Sequence, residues 1–134
     1  MFRKTLTAAA LIAATAMGTV PAAANGTFSF TVNATNQDEA DAIRAGLFLY
    51  QLAQGAESGA FVHQDGSLNG AAIAQVAAGG STGVIHQEGA GHSAILDQQG
   101  HSQAHGIFQF GKGADAHVTQ TSHSQTGLTF QFGW

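Results

Sequence analysis

The sequence predicts an all-β chain: a solenoid of strand–turn–strand arches, about seven strands in two stacked sheets, preceded by a short strand and an amphipathic helix. Three observations predict it. Glutamine recurs at Gln64, Gln75, Gln87, Gln98, Gln109, Gln120 and Gln131, at intervals of 11 residues with a single interval of 12. Two residues before each stands Val62, Ile73, Ile85, Leu96, Ile107, Val118 or Thr129. Two residues after stands Gly66, Ala77, Gly89, Gly100, Gly111, Ser122 or Gly133. Alternation at period 2 that ends on glycine describes a short strand and its turn, and in-phase recurrence of the unit describes a repeat architecture. An eleven-residue helical repeat is disfavoured by glycine at most turn positions and β-branched residues in the uniform column.

The segments follow in order. Residues 1–24 read as a secretory signal peptide: Arg3 and Lys4 open it, Leu6 to Val20 is apolar, and Ala22 and Ala24 fit an A-x-A cleavage site. Over 25–57, Phe28, Phe30 and Val32 alternate with Thr27, Ser29, Thr31 and Asn33, the period of a half-buried strand. Asn36 then caps a helix with Glu39 three residues on, Ile43, Leu47 and Tyr50 share one face, and Gly55 stops it. One strand and one helix are too little to fold alone, so this segment is expected to dock on the repeats over 58–134.

The monotonous column of a repeat faces inward, because a core tolerates little change of volume. The glutamines therefore point in. Each amide is satisfied by the same residue on the next rung, about 4.8 Å away, as in stacked cross-β sheets. Odd and even strands form separate sheets about 10 Å apart. The variable column His63, Ala74, His86, Asp97, Phe108, Thr119 and Phe130 is expected to face solvent. The run Leu128 to Trp134 reads as an aromatic edge strand with no proline or lysine to guard it, so this end of the stack is expected to be open.

From Ser58 to Gln75 the chain fits S-x5-Q-x-G-x2-N-x5-Q, with Ser58, Gln64, Gly66, Asn69 and Gln75 at the fixed positions. This resembles the curlin repeat of bacterial curli fibre subunits. A second copy keeps Ser81, Gln87, Gly89 and Gln98 with His92 in place of Asn; a third keeps Gln109, Gly111 and Gln120 with Gln103 for Ser and Ala114 for Asn. A half copy ends with Gln131 and Gly133. Ser58, Asn69 and Ser81 thus join the glutamines as ladder positions, and Gly66, Gly89, Gly100, Gly111 and Gly133 serve as turn glycines. The resemblance implies a secreted subunit that polymerises into amyloid fibres at the cell surface, supporting adhesion and biofilm matrix. It also implies an outer-membrane export pore and a nucleator as partners.

Composition narrows the alternatives. The chain has 134 residues, no cysteine and only four basic side chains, Arg3, Lys4, Arg44 and Lys112. It therefore has no cationic patch for nucleic acid and no thiolate or zinc–sulfur chemistry. No nucleophile elbow, phosphate loop or H-E-x-x-H motif is present, so neither catalysis nor a cofactor is expected. The competing function is a monomeric secreted solenoid binding a repetitive ligand such as a polysaccharide or ice. One speculative site remains. His63 and Asp65 recur two units later as His86 and Glu88, a ligand set suited to zinc or copper if odd strands stack.

Overall fold

The computed structural model describes residues 26–55, 59–76 and 80–134; the leader over 1–24 and Ser58 lie outside them. Its elements are β1 (Thr27–Asn33), α1 (Gln37–Ala53), β2 (Ala60–Ser67), β3 (Gly70–Val76), β4 (Thr82–Ala90), β5 (Ser93–Gln99), β6 (Ala104–Lys112), β7 (Asp115–Gln120) and β8 (Thr126–Gly133). From β2 onward the chain coils, successive strands alternating between two sheets. Strands β2, β4, β6 and β8 stack in parallel in one sheet, and β3, β5 and β7 in the other. The chain is an all-β solenoid.

Register follows the repeat. Gln64 lies beside Gln87, Gln87 beside Gln109 and Gln109 beside Gln131; in the second sheet Gln75, Gln98 and Gln120 align in the same way. A slip of one residue would turn every inward side chain out. The core between the sheets is aliphatic at its centre, with Ile85, Leu96 and Ile107 fully buried and Ile73 and Val118 packed against them.

Gly66, Gly89 and Gly111 lie inside the strands, which run on to Ser67, Ala90 and Lys112, so these glycines bend strand ends rather than form turns. Each has positive φ, and at each a Cβ would stand 1.9 Å from the carbonyl oxygen of the corresponding glycine on the next strand. Both conditions restrict the column to glycine.

The segment before the repeats docks as its pattern implies. Asn36 Oδ1 accepts from Glu39 N–H at 2.9 Å, and Gly55 takes φ +84° just past the helix end. Glu39 accepts from the Thr35 backbone N–H and hydroxyl, one residue earlier than a capping box requires, and these bonds hold its carboxyl below its usual range. Ile43, Leu47 and Tyr50 pack on Phe61, Val84, Ala104, Phe108 and Leu128. Gly106 admits the helix: a Cβ there would stand 2.7 Å from Leu47 Cδ2.

Two expectations are corrected by this docking. The outer face of the first sheet is not a solvent face, because α1 crosses it and leaves His86, Phe108 and Phe130 half-buried. Ala74 and Thr119 on the other sheet are exposed as expected. The C-terminal edge is not open either. β1 pairs antiparallel along β8, from Thr27 beside Gly133 to Asn33 beside Gly127, so the first sheet runs β1-β8-β6-β4-β2.

Candidate functional site

The glutamines form two directional ladders. In the first sheet Gln64 Nε2 donates to Gln87 Oε1 at 2.7 Å, Gln87 to Gln109 at 2.7 Å and Gln109 to Gln131 at 2.6 Å. In the second, Gln75 donates to Gln98 at 2.7 Å and Gln98 to Gln120 at 2.8 Å. The second amide hydrogen reaches across the core, which the repeat pattern did not reveal. Gln87, Gln98, Gln109 and Gln131 donate to the carbonyls of Gly70, Thr82, Ser93 and Asp115, each at the start of the preceding strand. The inner glutamines Gln87, Gln98 and Gln109 thus join both the next rung and the facing sheet. Full satisfaction makes a buried amide column tolerable in a dry core.

The corners carry shorter ladders. Asn69 Oδ1 accepts from His92 N–H, and His92 Nδ1 accepts from Ala114 N–H, both at 3.1 Å. His92 therefore does the work of the missing Asn. At the other corner Gln103 N–H donates to Ser81 Oγ at 3.2 Å, while the Gln103 amide donates to the carbonyls of Gln99 and Ser122. Gln103 Oε1 is buried with no partner among the described residues.

The two ends of the stack differ. At the β2/β3 end the side chains that are core elsewhere lie in the open: Val62 is 41% exposed and Gln64 is exposed. Gln64 Oε1 and Gln75 Oε1 accept nothing among the described residues, although every later ladder position accepts from the rung before. At the β8 end the ladder stops. Gln131 Nε2 meets Ser29 Oγ at 3.3 Å, and Thr31 and Thr129 share a hydroxyl bond of 3.0 Å. His105 stands where the other units carry Ala60, Ala71, Gly83, Ala94, Ala116 and Gly127, four residues before the glutamine, and bonds Thr129 Oγ1 at 2.8 Å; burial pushes its pKa down to about 4. Polar residues in place of aliphatic ones mark this terminal layer, and Ser29, Thr31 and Asn33 were legible as a strand but not as a cap.

A ring stripe runs along the outer face of the first sheet. His63 stacks on His86 at 5.1 Å, Phe108 on Phe130 at 5.2 Å, Phe110 on Phe132 at 5.5 Å, and Phe30 of β1 continues it against Phe130 at 5.2 Å. The register sets His63 over His86 and Asp65 over Glu88, as the spacing predicts. The imidazoles meet face to face. His86 Nδ1 bonds the Tyr50 hydroxyl and His86 Nε2 lies 3.7 Å from Glu88. Burial, then the neighbouring His63, lower the pKa of His86, and burial raises that of Tyr50. Among the described residues no group of three or more ligating side chains converges on a point where a metal ion would sit. The stripe packs the helix against the sheet.

Among known proteins, the chain matches no family model, no curated protein and no solved structure. Its chemistry must be read from the geometry alone, which offers unpaired strand edges, aligned amides and stacked rings.

Proposed function

We propose that this protein is a secreted structural subunit that polymerises into curli-like amyloid fibres at the bacterial cell surface, supporting adhesion and biofilm matrix. The observation that carries the reading is the β2/β3 end, where Val62, Gln64 and Gln75 present an interior layer on which nothing among the described residues is stacked. Strand addition there supplies backbone partners and donors for two amide acceptors, and it removes apolar surface from water at roughly 25 cal/mol per Å². The curlin-like pattern from Ser58 to Gln75 supports the same reading, and with it an outer-membrane export pore and a nucleator as partners. The irregular outer column of the second sheet, Ala74, Asp97 and Thr119, offers no periodic array for a polysaccharide or ice.

The test is electron microscopy with fibre diffraction on the protein freed of its leader. Fibres with reflections near 4.8 and 10 Å are expected. A chain that stays monodisperse and cooperatively folded at tens of micromolar overturns the reading.

A further inference from the structure

The opposite end of the stack has its own shape. The first sheet holds five strands and the second three, and both outermost strands at this end, β1 and β7, lack a neighbour on one edge among the described residues. The coil climbs about half a strand spacing per strand, and β1 sits a full spacing above β8, so β1 overhangs β7 by about 7 Å. Under the overhang lies a groove of about 540 Å³, lined by Thr31, Asn33, His105, Val118, Gln120 and others. A second copy stacked in the same direction would set its β2 on β1 and leave the groove empty.

We propose that this end joins two copies of the chain around a two-fold axis parallel to the strands, β1 of each copy adding beside β7 of the other. Such a rotation exchanges the two sheets, inverts the stack and preserves direction along the strands. The overhang of each copy then fills the groove of the other, and each sheet continues for eight strands. The interface is isologous, the commonest symmetry of soluble oligomers.

Direction and register are both determined. The Gln131 amide at the far end of β8 bonds the carbonyl of Asp115, the first residue of β7, so the two sheets run in opposite directions. β1 is antiparallel to β8 and therefore parallel to the partner's β7, the arrangement already used by β3, β5 and β7. Ser29 lies beside Gln131 and Asn33 beside Gly127. Gln120 reaches the carbonyl of Ala104, the residue aligned with Thr126. Position along the strand is unchanged by the rotation, which fixes the register to within one residue. Alternation settles the remainder: Ala114 O accepts from Ser93 N–H, so the odd-numbered residues of β7 face its free edge, and parallel pairing with the odd-numbered residues of β1 sets Thr31 beside the other copy's Val118 and Asn33 beside its Gln120.

The side chains fit that register. Asn33 makes no amide hydrogen bond among the described residues, and its Oδ1 lies over Gly127, where a Cβ would come within 2.8 Å. Gln120 Nε2 ends its ladder on long contacts, 3.3 Å to Ala104 O and 3.5 Å to His105 Nδ1. Asn33 Oδ1 of one copy offers the Gln120 amide of the other a further acceptor. The backbone is ready as well. Gly26 and Trp134 exchange both backbone bonds, and Ala34 N–H donates to Thr126 O, so the even-numbered residues of β1 face β8. By alternation Thr27, Ser29, Thr31 and Asn33 direct N–H and C=O to the free edge.

This inference extends the strand-addition reading to a different end of the molecule and rests on it only for what the two exposed β2/β3 ends of the pair then do. The chain has no native cysteine. Val32 and Thr119 lie on the outer faces of opposite sheets, so within one copy no disulfide can join them, whereas across the two-fold they are lateral neighbours about 5 Å apart at Cα. Oxidised Val32→Cys/Thr119→Cys protein is expected to run as a covalent dimer, with neither single variant doing so. Thr31→Pro removes one free-edge N–H and no backbone bond to β8, and Thr31→Val, which removes only the hydroxyl bond to Thr129 and keeps the N–H, controls for the lost side chain; the proline variant alone is expected to turn a sedimenting dimer into a monomer with unchanged far-ultraviolet circular dichroism. Unaltered protein that sediments as a monomer at tens of micromolar, or a double variant that cross-links no more than the singles, overturns the proposal. Cross-linked dimers without fibres support it while sinking the fibre reading; fibres without cross-links do the reverse.

Discussion

The two ends of the solenoid are built from the same repeat and behave as opposites. At the β2/β3 end the first layer has the composition of an interior layer, Val62 with Gln64 facing Ile73 with Gln75, and nothing among the described residues lies over it. At the β8 end the column changes character one layer early: His105 and Thr129 replace a small and an aliphatic residue, and β1 closes the first sheet with Ser29 and Thr31. An amide ladder is directional, so its two ends need different terminations. A free donor is closed by a hydroxyl or carbonyl, as at Gln131, whereas a free acceptor needs an N–H or O–H, which a backbone carbonyl cannot supply.

The largest effect that sharpens this contrast is loss of a ladder rung. Gln87→Leu removes the donor to Gln109 Oε1 and Gly70 O, leaving two acceptors short at about 1–3 kcal/mol each, or about 2–6 kcal/mol together. Gln64→Leu at the open end loses one donor to Gln87 in partial contact with water and is expected to cost less than about 1 kcal/mol. Urea titration of both variants measures the difference, and equal losses would break the distinction between rung and end.

Acid separates the ends next. His105 is buried and neutral, with its pKa lowered to about 4 from an ordinary 6.5. Between those values the unfolded chain binds the extra proton, so stability is complete above pH 6.5 and falls as pH drops through about 4, by at most about 3 kcal/mol. The lowered pKa of His86 acts in the same direction. Unfolding free energies measured from pH 7 to 4 are expected to show the slope, and His105→Asn to flatten it.

The smallest effect tests the helix. Tyr50→Phe removes the hydroxyl bond to His86 Nδ1 and is expected to cost about 1 kcal/mol in thermal or chemical unfolding, while fibre formation from the β2/β3 end is unchanged.

The ladder was legible in the sequence because a polar core is affordable only in strict register, and strict register writes itself as a period. Asn69 and Ser81 were marked as ladder positions by the curlin-like pattern, which did not reveal that each accepts a backbone N–H at a corner. The cap was not legible. Phe28-Ser-Phe-Thr-Val32 describes a half-buried strand but names no partner, and any exposed edge would accept its backbone. The terse signal was in its inward residues, Ser29, Thr31 and Asn33, which end a glutamine ladder rather than extend it. The Tyr50–His86 bond depends on the angle at which α1 crosses the sheet, and no local pattern encodes that angle.

The contrast between the ends is tested most directly by placing one charge on the open layer. Val62 is exposed in the monomer, so lysine there leaves the fold intact and guards the β2 edge as edge lysines do. Seeded elongation of Val62→Lys protein is expected to slow by about tenfold or more, with unchanged circular dichroism of the monomer. Elongation at the unaltered rate would show that growth does not pass through the β2/β3 end.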